Sequence, residues 1–196
     1  MSVSKPEAAG SEATEKAQPG PAGFPPNFPP EDRPDELWME EALRCAQRAL
    51  EAGEVPVGAV VVRSGQIVGR GWNRNITDSD PTAHAEVIAL REAGATMGNH
   101  RLEGCELFVT IEPCAMCAGA LVHSRIARLV YGAADSKAGA VDSALQVINH
   151  PRLNHRMEVR NGILAGRSAE LLQTFFRQRR ACPQTDLDSS QSDGME

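Results

Sequence analysis

Two short segments hold most of the residues in this chain that can do chemistry: Thr82-Ala83-His84-Ala85-Glu86 and Glu112-Pro113-Cys114-Ala115-Met116-Cys117. Cys114 and Cys117 are three positions apart, so at the start of a helix they share a face, and the exposed N–H groups and dipole of a helix N-terminus favour thiolate over thiol. Two thiolates aimed at one point make a soft metal site. With His84 as a third ligand the set is Cys2His, which suits tetrahedral Zn2+. Taken alone, a Cys-x-x-Cys pair also reads as a redox couple or as two core thiols, and a lone histidine reads as a satisfied buried one. A redox couple, however, is expected near the first β-α junction of its fold, whereas this pair follows the third predicted strand.

Structural zinc usually takes four protein ligands. His84 has no companion at ligand spacing, so the set numbers three and leaves one position for solvent, unless Cys45 or Cys105 closes it from within an apolar-periodic segment. Zinc in an open site lowers the pKa of water to roughly 7, the starting material of a hydrolase. Glu86 lies two residues past His84, a rotation of about 200° in mid-helix. Both side chains can therefore approach one metal only in a helix's first turn, with the ion off its end. The spacing predicts an ion at the junction of two helix N-termini and a Glu86 that moves a proton instead of ligating. Without a metal nearby, Glu86 would be a first-turn acid complementing the helix dipole.

Period and punctuation supply the elements that must bring these segments together. Met39, Ala42, Leu43, Ala46 and Leu50 follow a helical period, with Asp35 placed to cap and Gly53 to stop. Residues 57–63 and 66–72 are β-rich runs separated by Ser64-Gly65, a tight hairpin. Asp80-Pro81-Thr82 opens a second helix of about ten residues. Residues 105–111 read as a buried strand, 114–123 as a helix and 128–131 as a strand. Residues 168–180 read as a closing amphipathic helix. This alternation implies a three-layer α/β/α sandwich whose later strands run parallel.

The chain has 196 residues, 41% of them hydrophobic, enough for one globular domain. The formal charge of −6 argues against a broadly basic nucleic-acid coat protein, but the acidity sits at the ends. Residues 37–180 hold 17 basic against 15 acidic side chains, and residues 152–180 alone carry seven arginines against two glutamates. That leaves a basic C-terminal edge, which otherwise reads as a solvated helix face. Residues 1–36 contain eight of the 13 prolines and read as a disordered leader; residues 181–196 read as a disordered acidic tail. Five cysteines, an odd number, no charged-then-apolar signal segment and no long apolar run imply a cytoplasmic protein with reduced thiols and no membrane span.

His84-Ala85-Glu86 followed by Pro113-Cys114-x-x-Cys117 resembles the zinc deaminase signature. Glu54-Val55-Pro56-Val57-Gly58-Ala59-Val60, Gly71-Trp72-Asn73-Arg74, Asp80-Pro81-Thr82, His123-Ser124-Arg125-Ile126, the stretch 132–140 with Asp135 and Lys137, and Asn154-His155-Arg156 extend the likeness. Together they resemble the bacterial tRNA-specific adenosine deaminases of the cytidine/deoxycytidylate deaminase superfamily over about residues 37–180. The zinc signature alone is superfamily-wide; the combined set is specific to the tRNA enzymes.

The resemblance implies a cytidine-deaminase-like fold with a mixed five-stranded sheet and one zinc per subunit on His84, Cys114 and Cys117. It implies Glu86 as the catalytic proton shuttle in hydrolytic deamination of the wobble adenosine of tRNA-Arg(ACG) to inosine, by a homodimer. Water adds at C6 of adenine and ammonia leaves. An anticodon-loop base is already unpaired and so costs less to extrude than one in a duplex. Asn73 resembles the family's base-contacting Asn and Asp135 the acidic residue beside the ribose; outside the family either would be turn chemistry. Phe175, Phe176, Arg177, Arg179 and Arg180 would edge the site, Phe175 and Arg179 as substrate contacts, with whichever Phe faces inward belonging to the core. Two other readings use the same zinc: a deaminase of a free guanine- or cytosine-type base or nucleoside, and a non-catalytic zinc-stabilised RNA-binding subunit. The presence of Glu86 argues against the second.

Overall fold

The structure, a computed structural model, describes residues 35–181. The leader expected over 1–36 and the tail expected over 181–196 lie outside the described residues, apart from Asp35, Glu36 and Ala181, which are helical.

Strand β1 (Gly58–Arg63) is almost wholly buried, and its alternation assigns the layers. Val60 and Val62 pack with Trp38, Met39, Ala42 and Cys45 of helix α1 (Asp35–Glu51). Ala59 and Val61 point the other way. They join Ala85, Ala89 and Ala93 of α2 (Ala85–Met97) and Ala118 and Leu121 of α3 (Ala115–Ser124). The sheet is completed by β2 (Gln66–Trp72), β3 (Cys105–Ile111), β4 (Arg128–Ala133) and β5 (Glu158–Arg160), in the order β2-β1-β3-β4-β5. β1 is antiparallel to both β2 and β3, while β3, β4 and β5 are parallel. Helix α4 (Ala165–Ala181) lies against β4 on the α1 side, close enough that a β-carbon on Gly132 would fall 2.6 Å from Ser168 Oγ. The result is a three-layer α/β/α sandwich around a mixed five-stranded sheet. Because β1 alone runs against the others, the chain leaves β2, β3 and β4 at the same end of the sheet.

The hairpin after β1 turns on Ser64 and Gly65, both at positive φ (49° and 75°), the signature of the tight turn whose twist matches its strands. Helix α2 lies directly on the backbone of β2. A β-carbon at Gly71 would sit 2.0 Å from the Ala85 carbonyl oxygen, and one at Gly69 would sit 2.3 Å from that of Ala89.

Three sequence expectations need correction. Asp80-Pro81 does not open α2. The Asp80 carboxylate instead accepts from Thr82 N and Thr82 Oγ1, each at 2.7 Å, and the bonds Ala83 N to Asp80 O and Arg74 N to Ala83 O fold 80–83 into a turn pinned to the end of β2. The helix starts four residues later, at Ala85. Asp35, read as a cap, begins α1 and receives Arg128 (2.7 and 2.8 Å) and Arg160. Burial pushes its carboxyl up, and the two guanidiniums outweigh that and hold it below the ordinary carboxylate range. Arg128 also reaches Glu106 and Glu158, so one side chain fastens α1 to β3, β4 and β5. β5 itself has no counterpart in the strand reading. Among the described residues no helix is long and apolar enough to cross a membrane.

Gly71→Ala should force α2 away from β2 and destabilise the protein by about 1–3 kcal/mol, as overpacking does. Thermal denaturation reads this as a Tm lower by several degrees; an unchanged Tm would contradict the contact.

Candidate active site

β2 ends at Trp72 and β3 at Ile111, side by side with β1 between them, and each is followed by a helix whose first residue lies at that end of the sheet. His84 is the N-cap of α2 and Cys114 the N-cap of α3, and neither side chain makes a capping hydrogen bond. Their backbone carbonyls accept the first helical bonds, from Ile88 N at 3.0 Å and Ala118 N at 2.8 Å. The imidazole and thiol are therefore free to face outward along the helix axes. Cys117, in the first turn of α3, points the same way and is fully buried.

His84 Nδ1 lies 3.7 Å from Cys114 Sγ and 3.5 Å from Cys117 Sγ, and the three ligand atoms fall within 4.8 Å of one another. Tetrahedral zinc with ordinary Zn–S and Zn–N bonds requires S···N separations of about 3.5 Å, so the three side chains fit a zinc ion. Cys45 packs on the far side of the sheet and Cys105 contacts Met97 Sδ at 3.5 Å, so neither joins the group. Cys182 lies outside the described residues.

The Cys114 thiol is held down to about 3 by its hydrogen bonds with Cys117 and His84, and Cys117 is pushed up by the same neighbour and by burial. The His84 ring is pushed up by its bond with Cys114. Glu86 is 3% exposed in the first turn of α2, and burial raises its carboxyl. A carboxyl of raised pKa beside a metal site is suited to taking up a proton and passing it on.

These residues open into a cleft of about 900 Å3 lined by Val57, Asn73, His84, Glu86, Cys114 and Asp135 together with α4. Asn73 is buried, and its Oδ1 accepts from Ala85 N at 2.9 Å, which leaves its amide nitrogen as the free group. Asp135 Oδ1 accepts from Lys137 N and Ala138 N, which leaves Oδ2. On α4 the structure departs from the residues picked by sequence. Phe175 is buried, and Arg179 lies over its ring at 5.5 Å; neither lines the cleft. Phe176, 44% exposed, and Arg177 and Arg180 do line it. Successive helical residues are about 100° apart, and at the edge of the packed face this step separates the buried Phe175 from the exposed Phe176.

Sequence reasoning gave no role to the two carboxylates that shape the cleft walls. Glu54, 1% exposed, accepts from Ile76 N at 2.9 Å and Thr77 N at 2.7 Å and so holds the loop after β2. Glu112, 2% exposed, accepts from the backbone of Asp135, Val141, Asp142 and Ser143 and from the Ser143 hydroxyl. Burial opposes its ionisation, but these donors bring its pKa down to about 2. Their place in the motifs Glu54-Val55-Pro56 and Glu112-Pro113-Cys114 was the available signal.

Residues 32–133 match the family profile of the cytidine and deoxycytidylate deaminase zinc-binding region. The chain is 50% identical over 147 residues to the tRNA-specific adenosine deaminase of Haemophilus influenzae, covering 74% of this chain and 85% of that one. It is 44% identical over 146 residues to the Bacillus subtilis protein of the same name, covering 74% and 91%. Among solved structures it is similar to one from work on A-to-I editing by tRNA:A34 deaminases at the wobble position, with TM-score 0.68, 45% identity, and 69% of this chain and 99% of that one covered. A guanine deaminase from Nitrosomonas europaea shares the fold at TM-score 0.65 and 24% identity, over 82% of this chain and 97% of that one.

Purified protein should carry about one zinc per chain. Cys117→Ala should reduce that to a small fraction by elemental analysis, while Cys45→Ala should leave it unchanged. Full zinc in Cys117→Ala would refute the ligand set.

Proposed function

The chain belongs to the tRNA-specific adenosine deaminases of the zinc-binding cytidine and deoxycytidylate deaminase family, and from that premise we propose that it converts the wobble adenosine of tRNA-Arg(ACG) to inosine by hydrolysis. The observation that carries the RNA substrate is the continuity of one cleft from His84, Cys114 and Glu86 out to Phe176, Arg177 and Arg180. An aromatic face and two guanidiniums at the mouth suit a splayed single-stranded loop, which offers bases to stack and phosphates to pair.

When bound by His84, Cys114 and Cys117, zinc supplies Lewis acidity that lets water ionise near neutral pH. Glu86 takes the proton that water gives up and delivers it to the exocyclic nitrogen, so that ammonia is the leaving group. Its burial keeps that proton from exchanging with bulk solvent. Asn73, its oxygen engaged by Ala85 N, offers an amide N–H to an acceptor on the base. Asp135 offers its free oxygen to a ribose hydroxyl, a contact that favours RNA over DNA. Phe176 stacks beside the target, and Arg177 and Arg180 neutralise neighbouring phosphates. The working form is proposed to be a homodimer in the cytoplasm.

Incubation with an anticodon stem-loop of tRNA-Arg(ACG) should produce inosine at the wobble position, with little turnover of free adenosine, guanine or cytosine. Comparable turnover of a free base or nucleoside would overturn the RNA reading in favour of a small-molecule deaminase. Glu86→Ala should keep its zinc and lose roughly 10^2–10^4-fold in rate; unchanged turnover would remove Glu86 from the mechanism. Arg177→Ala with Arg180→Ala should flatten the salt dependence of stem-loop binding by about 1.4 in log–log slope, the value for two lost single-strand phosphate contacts. An unchanged slope would return both arginines to a solvated helix face.

A further inference from the structure

Between β4 and β5 the chain runs through 134–157 with no helix or strand of its own, yet this segment carries Asp135 into the cleft. A segment without a ladder must be positioned by its contacts. Its far part is tied by Arg125 to Asn154 Oδ1 at 3.1 Å and by His155 Nε2 to Ile126 O at 2.7 Å, and Tyr131 OH donates to Asp142 Oδ2 at 2.7 Å nearer its start. The near part rests on Glu112. Oε2 accepts from Asp135 N at 3.0 Å and from the Ser143 hydroxyl, and Oε1 accepts from Val141 N, Asp142 N and Ser143 N at 3.1, 2.8 and 2.9 Å. The segment closes over this carboxylate so tightly that a β-carbon on Gly139 would lie 2.4 Å from Glu112 Cδ. Glu112 is also two residues from Cys114. Ala140 N donates to Pro113 O at 2.8 Å, and Cys114 bridges Gly139.

We propose that Glu112 is a positioning residue that fixes Asp135 relative to the metal group by holding the 135–143 segment and the metal loop on one buried carboxylate. Taking a carboxylate out of water is costly before its partners are counted, and an apolar filler often serves stability as well. What an apolar filler cannot do is orient four N–H groups at once. Two oxygens shared among five donors specify where each donor sits, and the Oε2 share goes to the backbone of the residue that faces substrate. Glu112 acts on substrate only through Asp135, and this inference rests on the role of Asp135 proposed above.

The test is a double-mutant cycle with Glu112→Gln, Asp135→Ala and both together, with rates normalised to zinc content. The Gln amide must place an NH2 against one set of N–H donors, which breaks that share of the clamp. KM for the stem-loop should rise about tenfold in Glu112→Gln, with kcat much less affected and zinc retained, since misplacing a binding group by under an ångström already costs at this scale. On the Asp135→Ala background the same change should add almost nothing to KM, because the group it positions is gone. Tyr131→Phe, which loosens the same segment at Asp142, should lower Tm without moving KM. Unchanged KM in zinc-loaded Glu112→Gln, or KM increases that multiply in the double variant, would overturn the proposal. If Glu112→Gln does not fold, Ser143→Ala runs the same cycle with a smaller rise. If the wild type proves inactive on RNA but active on free nucleoside, the RNA reading fails by itself and the cycle is read on the nucleoside.

Discussion

Two helix N-termini have to meet at one point for a histidine from one and two cysteines from the other to share an ion, and much of the fold follows from that requirement. Helix α2 can start there only because β2 presents glycines beneath its first turns. Gly69 and Gly71 let the Ala-rich face of α2 rest on the strand backbone, with Ala85, Ala89 and Ala93 fully buried in the contact. Helix α3 starts there because β3 runs in the same direction as β2 with β1 antiparallel between them. The one reversed strand is what makes loops distant in sequence neighbours in space. It also puts the start of β1, with Val55, Val57 and the buried Glu54, at the same end. In open α/β sheets ligands gather beyond the carboxyl ends of the strands, and here the ends of β2, β3 and β4 each contribute one piece: Asn73, the metal loop, and Asp135.

That geometry has an electrostatic counterpart. The partial positive charge of the helix start and the bonds from Cys117 and His84 favour thiolate at Cys114, while burial at the same place raises Glu86 toward its neutral form. A sulfur that gives up its proton readily and a carboxyl that holds on to one are opposite demands on a few cubic ångströms. They are met by depth: Cys114 is only half-buried at the lip of α3, whereas Glu86, in the first turn of α2, is almost wholly buried.

What the sequence revealed and what it hid divide along physical lines. Residues 105–111 read as a strand and are one, because a run of buried β-formers has few alternatives, and Ser64-Gly65 announced its turn by dihedral demand alone. The rotation argument for His84 and Glu86 located the helix start near His84 more accurately than the Asp80-Pro81 cap signal did. Asp and Pro serve turns as readily as helix starts, and only the tertiary bond from Arg74 to Ala83 decided between them. β5 was hidden because it is three residues long with one apolar side chain, Val159, and is held as much by Arg128 and Arg160 as by pattern. The inward member of the Phe175-Phe176 pair could not be chosen from a helical period that places Leu171, Leu172, Phe175 and Phe176 across one broad face. Packing on β4 at Gly132 sets the rotation of α4, and that contact is long-range. Glu54 and Glu112 were hidden for a further reason: a buried carboxylate looks in sequence like any exposed one until its donors, 22 to 31 residues away, are brought to it.

The shape of the cleft bears on why such a scaffold suits a base presented by a larger molecule. A site for a free small molecule must itself enclose most of its ligand's surface. The walls here include backbone loops, hung on Glu54 on one side and Glu112 on the other, and the cleft is open at an outer rim formed by a helix end carrying Phe176, Arg177 and Arg180. Loops suspended from buried charges hold their shape without a lid to press on them. A nucleotide held by its neighbours brings its own sugar, phosphates and flanking bases to complete the enclosure, so the protein needs only to supply a rigid half. The α4 rotation that sends Phe175 to the core therefore also sets which half that is, by turning Phe176 and the two cleft-facing arginines to the mouth.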